Sequence, residues 1–226
     1  MNTITKTQRA LSYALKIVVI LSAVIGTLIS YLAGRNSFMG GRHVFMYFTI
    51  QSNILMAVIS GYGLYLLLKE KEITGRWYTI KFVGTVSITL TGFVFAFMLA
   101  PILGDNAWNF QNTLTHLIVP LASVIDFFVM SDATKIKKTS VFYVTIPPIL
   151  YVIYAGIGFV NNWQFAEGAN YPYFFLNWGS KAGAFGFTDE LPFMGSVWWI
   201  LVLLIFLMIV GYAYLAVADL ISKRRR

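Results

Sequence analysis

Six stretches of this sequence, roughly 11–33, 45–68, 78–100, 112–130, 141–160 and 194–217, are each apolar over about the 20 residues a helix needs to cross a hydrocarbon core. Nothing constrains the fold more. A backbone inside lipid must satisfy its own N–H and C=O groups, and an isolated apolar segment does so only as a helix. Composition agrees: 58% of the residues are hydrophobic and 12% charged, with a mean hydropathy of +0.71, which excludes an ordinary soluble domain. The six stretches and their connections fill the 226 residues. The expected fold is therefore all-α, a single domain over 1–226 built as a polytopic bundle of six transmembrane helices. The first apolar run continues from Lys16 to Ala33 without an A-x-A-like exit, so it is expected to stay as a span rather than leave as a signal peptide.

The net charge of +8 is distributed by membrane side. Lys6, Arg9 and Lys16 open the first span; Lys69, Lys71, Arg76 and Lys81 surround the second turn; Lys135, Lys137 and Lys138 follow the fourth span; Lys223 to Arg226 end the chain. These are 14 of the 17 basic residues, and only Arg35, Arg42 and Lys181 fall on the other side. By the positive-inside bias both termini are expected in the cytoplasm, in a multi-pass protein of the plasma membrane. The "KRRR" tail reads as a topology anchor touching anionic lipid, and nucleic-acid binding is not supported. With no cysteine there are no disulfides or thiolate metal sites; no metal or cofactor is implied, and no oligomeric state is indicated.

Residues 112 to 126, "NTLTHLIVPLASVID", place His116 inside a lipid-soluble span. An ionisable side chain at membrane depth is a functional candidate by default. Thr49 lies about one turn into span two and His116 about one turn into span four. Both therefore lie on the order of 6 Å below the outer hydrocarbon edge, at 1.5 Å per residue. Helical spacing puts His116, Ser123 and Asp126 along one stripe, and Thr49, Ser52, Asn53, Met56 and Ser60 on one face of span two. Polar stripes on separate helices turn toward each other rather than toward lipid, so a polar core is expected. Pro120 lacks the N–H that would bond the His116 carbonyl, so the helix is expected to bend there and open a small polar space.

Plainer roles exist for the same residues. Thr49 can bond back to the Phe45 carbonyl, as membrane threonines do. Asp126, about 15 Å along the helix from His116, is expected to bond hydroxyls such as those of Thr85 or Thr89, or to sit near the cytoplasmic edge. His43 is read as a solvated loop histidine; a bis-histidine haem site would need it inside the membrane. Ser22, Gly26 and Ser30, four residues apart, form a small-residue seam for close helix approach. Pro147-Pro148 is expected to kink span five. Residues 161–193, "NNWQFAEGANYPYFFLNWGSKAGAFGFTDELPF", carry ten aromatic side chains. So long a loop with so many aromatics is expected to be ordered and partly helical at the outer surface, either as a lid over the bundle mouth or as an interfacial belt anchoring span six.

The motifs "YFTIQSNIL", "LTHLIVPLASVID" and "YPYFFLN" together resemble the bacterial Pr-six-Pr family of six-helix membrane proteins, which is similar in turn to the androgen-induced membrane hydrolases of animals. The resemblance implies cleavage of fatty acid esters of hydroxy fatty acids by a threonine, here Thr49, and a histidine, here His116. Asn177 stands after "FFL" where an acidic residue is expected. On this reading Thr49 attacks an ester carbonyl, His116 takes its proton and returns it to the leaving alcohol, and Asn53 or Gln51 donates to the oxyanion. The substrate is a membrane lipid or fatty ester entering from the outer leaflet. The competing reading is a non-catalytic transporter or ligand-binding protein whose polar core is formed around His116 and Asp126.

Overall fold

The computed structural model describes residues 5–33, 41–130, 132 and 135–225. Arg35 and Arg226, counted above for topology, lie outside them. Six helical segments are long and apolar enough to cross a membrane: span 1 Lys6–Ala33, span 2 Phe48–Leu68, span 3 Gly75–Asn106, span 4 Phe110–Met130, span 5 Lys138–Val160 and span 6 Ser196–Arg224. Among the described residues there is no strand. The protein is thus an all-helical, six-span membrane protein.

Local chemistry sets departures from regular helix. Span 3 passes from α-helix Gly75–Val94 through a π-helical turn, Phe95–Leu99, before Pro101. Span 4 does the same at Leu114–Ile118, before Pro120. In each, the residue preceding the proline bonds five residues back: Ala100 N–H to Phe95 O, and Val119 N–H to Leu114 O. The wider turn absorbs the bond that proline cannot make and moves its ring off the preceding carbonyls. The bend expected at Pro120 is therefore a π-bulge centred on His116. Span 5 starts as a 3-10 helix, Lys138–Thr145, and becomes α-helix at Ile146, with the proline pair in the first α-turn. There the missing N–H groups need no partner, so a change of helix type takes the place of a mid-helix kink.

Burial follows the expected faces. Ser52, Asn53, Met56 and Ser60 of span 2 are buried, as are His116, Pro120, Ser123 and Asp126 of span 4. Span 1 approaches span 4 at Gly26, where a Cβ would stand 2.7 Å from Thr115 Cγ2; only glycine leaves that space. Val19, Met56, Ile88 and Val119 join spans 1 to 4 in one apolar core, while Phe82, Phe127, Val141 and Leu207 join spans 3 to 6 in another.

The two ends of the bundle differ. At one, Gln8 Nε2 donates to Val129 O at 3.3 Å and the Arg225 guanidinium donates to Val129 O and Phe128 O at 3.2 Å, gathering the start of span 1 and the ends of spans 4 and 6. This is the basic end. At the other end lies the long connection before span 6, whose only helical turn is the 3-10 segment Phe174–Leu176. Its order comes from burial and side-chain bonding. Phe165, Phe175 and Leu176 are buried, Tyr47 Oη donates to Phe165 O at 3.1 Å, and the Trp198 and Trp199 indoles donate to Phe185 O and Pro192 O at 2.8 Å.

Candidate functional site

Thr49 is the second residue of the span 2 α-helix, and the chain before it is a separate 3-10 turn, Gly41–Met46. The back-bond to Phe45 is thereby lost: the Phe45 carbonyl accepts from Gln51 Nε2 at 3.1 Å. Thr49 meets the loop instead, with Tyr173 Oη 3.4 Å from both its Oγ1 and its backbone N. Beside this pair is a cavity of about 60 Å³ whose walls include Thr91, Leu90, Val94, Tyr151, Phe175 and Leu203. It is apolar apart from a few hydroxyls. Burial pushes the Tyr173 phenol above its ordinary pKa, so the hydroxyl stays protonated and able to donate.

His116 is buried in its π-turn and stacks on Phe95 of the other π-turn, with ring centroids 3.8 Å apart and planes 7° from parallel. Phe95 is held in turn by the Trp108 ring, edge-on at 4.9 Å. The imidazole bonds to the Thr91 backbone, and its Nδ1 has no partner among the described residues. A ring that donates from Nε2 leaves Nδ1 as the lone-pair nitrogen, the form a general base needs.

Thr91 links the two halves. It lines the cavity beside Thr49, its Oγ1 lies 2.8 Å from Ser52 Oγ, and its backbone meets the imidazole. Asn53 is a second link: Nδ2 donates to Thr49 O at 2.8 Å and to Thr115 O at 3.1 Å. Among the described residues no hydrogen bond joins Thr49 to His116 directly. Gln51 is exposed and turned to Phe45, and both Asn53 amide protons are spent on carbonyls, so neither side chain is free to donate to an oxyanion here. Ser123 is buried, and its hydroxyl has no partner among the described residues. Behind the histidine, a Cβ at Gly92 would stand 2.9 Å from His116 O.

Asp126 departs from its expected partners. The Thr85 and Thr89 hydroxyls bond backbone carbonyls within span 3, at 2.8 Å each. The carboxylate instead accepts from Lys16 Nζ at 2.8 Å on both oxygens, from Ser12 Oγ at 2.5 Å, and from Lys81 Nζ. Both lysines, counted above by membrane side, are buried ion-pair partners of Asp126. The spacing held a clue: Ser12 and Lys16 are one helical turn apart, on a single face.

No family model, curated protein or solved structure matches the chain in comparisons with known proteins.

Proposed function

We propose that this protein acts on a lipid ester whose acyl chain occupies the Thr49 cavity, with the Thr49 hydroxyl as the reacting group. The observation that carries this reading is the position of Thr49 and Tyr173, a hydroxyl pair at the edge of an apolar chamber. Oγ1 of Thr49 attacks the ester carbonyl carbon, and its proton passes to His116 Nδ1. The acyl–threonine bond forms as the bond to the leaving alcohol breaks, and the alcohol takes the proton back; water then releases the fatty acid by the reverse sequence. Tyr173, as a protonated phenol, takes the oxyanion role. In this reading the imidazole reaches Thr49 by moving along the Thr91 and Asn53 connection when the cavity is filled. The basic end lies in the cytoplasm, which puts both termini inside and the Tyr173 segment outside at the plasma membrane.

A second reading, lipid binding without turnover, is favoured by one observation: Thr49 is bonded to Tyr173, not to the histidine. The transport reading loses support from Asp126, whose charge is held by two lysines rather than offered to a path. A panel of branched and linear fatty esters presented to purified protein in lipid nanodiscs separates these readings. Hydrolysis that falls at least about 100-fold in both Thr49→Ala and His116→Ala supports the enzyme. Retention of labelled ester without cleavage by the wild type supports binding alone.

A further inference from the structure

The Lys16–Asp126–Lys81 cluster holds two cations and one anion at 2%, 4% and 2% exposure, and Asp126 is the only acidic residue among the buried ones described. The next carboxylate along the chain, Asp132, is half-buried rather than buried. With both lysines protonated, one positive charge is left over inside the bundle, where an uncompensated ion is costly. Lys16 spends its donors on Ser12 and both Asp126 oxygens, whereas Lys81 uses one on Asp126 Oδ2 and has two more.

A second observation lies beside it. Lys16, Lys81, Trp77, Tyr78, Gly63 and Met130 are among the residues lining a cavity of about 10 Å³, close to what one water-sized particle needs. The Trp77 indole N–H is buried and has no partner among the described residues. Its ring lies 5.5 Å from Lys81 Nζ, and at Gly63 a Cβ would stand 2.6 Å from Trp77 Cζ2 and 2.7 Å from Lys16 Cε. Lys81 Nζ thus sits over the face of the indole, while the ring edge next to the N–H and the Lys16 stem both pack at Gly63, and all four residues line this cavity.

We propose that this cavity binds one small monovalent anion, a halide such as chloride, held by Lys81 Nζ and Trp77 Nε1 and balancing the surplus charge. The lining includes Met130 and the flexible lysine stems, which can give the few tenths of an ångström that chloride needs beyond water. A larger oxyanion would not fit. Binding at this site is independent of the chemistry at Thr49.

The test is the unfolding midpoint of the full chain in detergent micelles, in sodium chloride or bromide against sodium gluconate at equal ionic strength. A saturable rise of several degrees in the halide salts is expected. Trp77→Phe keeps the ring and deletes the N–H, so the halide concentration at half-effect should rise about tenfold or more, the value of one hydrogen bond to a charged acceptor. Lys81→Met leaves a balanced Lys16–Asp126 pair and should remove the halide dependence altogether. Bromide anomalous scattering from crystals should place one ion between Trp77 and Lys81. Equal midpoints in all three salts would mean that one lysine has shed its proton instead, and would overturn the proposal. So would a halide response that Trp77→Phe leaves unchanged, even if Lys81→Met fails to fold.

Discussion

Asp126→Asn keeps the side-chain shape and removes the one charge that Lys16, Lys81 and Ser12 converge on. Two ammonium groups then share a buried site with no counter-charge from the protein. Breaking a buried ion pair in this way costs about 3–5 kcal/mol. Releasing one ammonium proton at pH 7 instead costs about 5 kcal/mol, so either route ends in the same range. For a chain of this length about 2–4 °C accompanies each kcal/mol, giving a drop on the order of 10 °C in the midpoint of thermal unfolding followed by circular dichroism. A triple variant, Lys16→Met with Lys81→Met and Asp126→Leu, removes every charge and should recover most of the loss, since apolar replacement of a whole buried cluster is close to neutral. An Asp126→Asn midpoint within about 2 °C of wild type would refute the view that this cluster fastens spans 1, 3 and 4.

Other changes probe the region of the candidate site. Gly92→Ala forces a methyl against His116 O and Pro120 and should cost about 1–3 kcal/mol by overpacking, measured as a lowered unfolding midpoint. Asn53→Leu leaves the Thr49 and Thr115 carbonyls without their shared donor and should destabilise by about 1–3 kcal/mol; unchanged stability would show that the link is dispensable. The Tyr173 phenol has a raised pKa in the folded protein, so above about pH 10 the unfolded chain sheds this proton while the folded one keeps it. Stability should then fall as pH rises, and Tyr173→Phe should flatten that alkaline slope. Thr49→Ser retains a hydroxyl, so if Thr49 is the reacting group, ester turnover should survive this change and fail in Thr49→Ala.

Span number and buried faces were legible because apolar length and helical spacing are local properties of the chain. Ser52, Asn53 and Met56, and likewise His116, Ser123 and Asp126, turned inward as their spacing requires. The π-turns were harder to see. Pro120 announced a disturbance, but a bulge adds a residue and shifts the helical phase, so the contact between Phe95 and His116 is invisible to a regular 3.6-residue count. Tyr173 stayed hidden for another reason: its partner Thr49 lies 124 positions away, and no periodicity reports a contact of that range. The pairing of Lys16 and Lys81 was not legible because a basic residue near a span end has the same local signature whether it reaches water or a buried carboxylate. Only the placement of span 4 between spans 1 and 3 separates the two.

That separation in sequence has a consequence for how the chain is made. Lys16 emerges from the ribosome 110 residues before Asp126, and Lys81 emerges 45 residues before it. At about 5–20 residues per second, the first lysine waits on the order of 10 s for its counter-charge. Lys81 joins it for the last 45 residues of that interval, and an ammonium without its carboxylate is costly in lipid. Span 4 is then the piece that brings the counter-charge to both earlier helices.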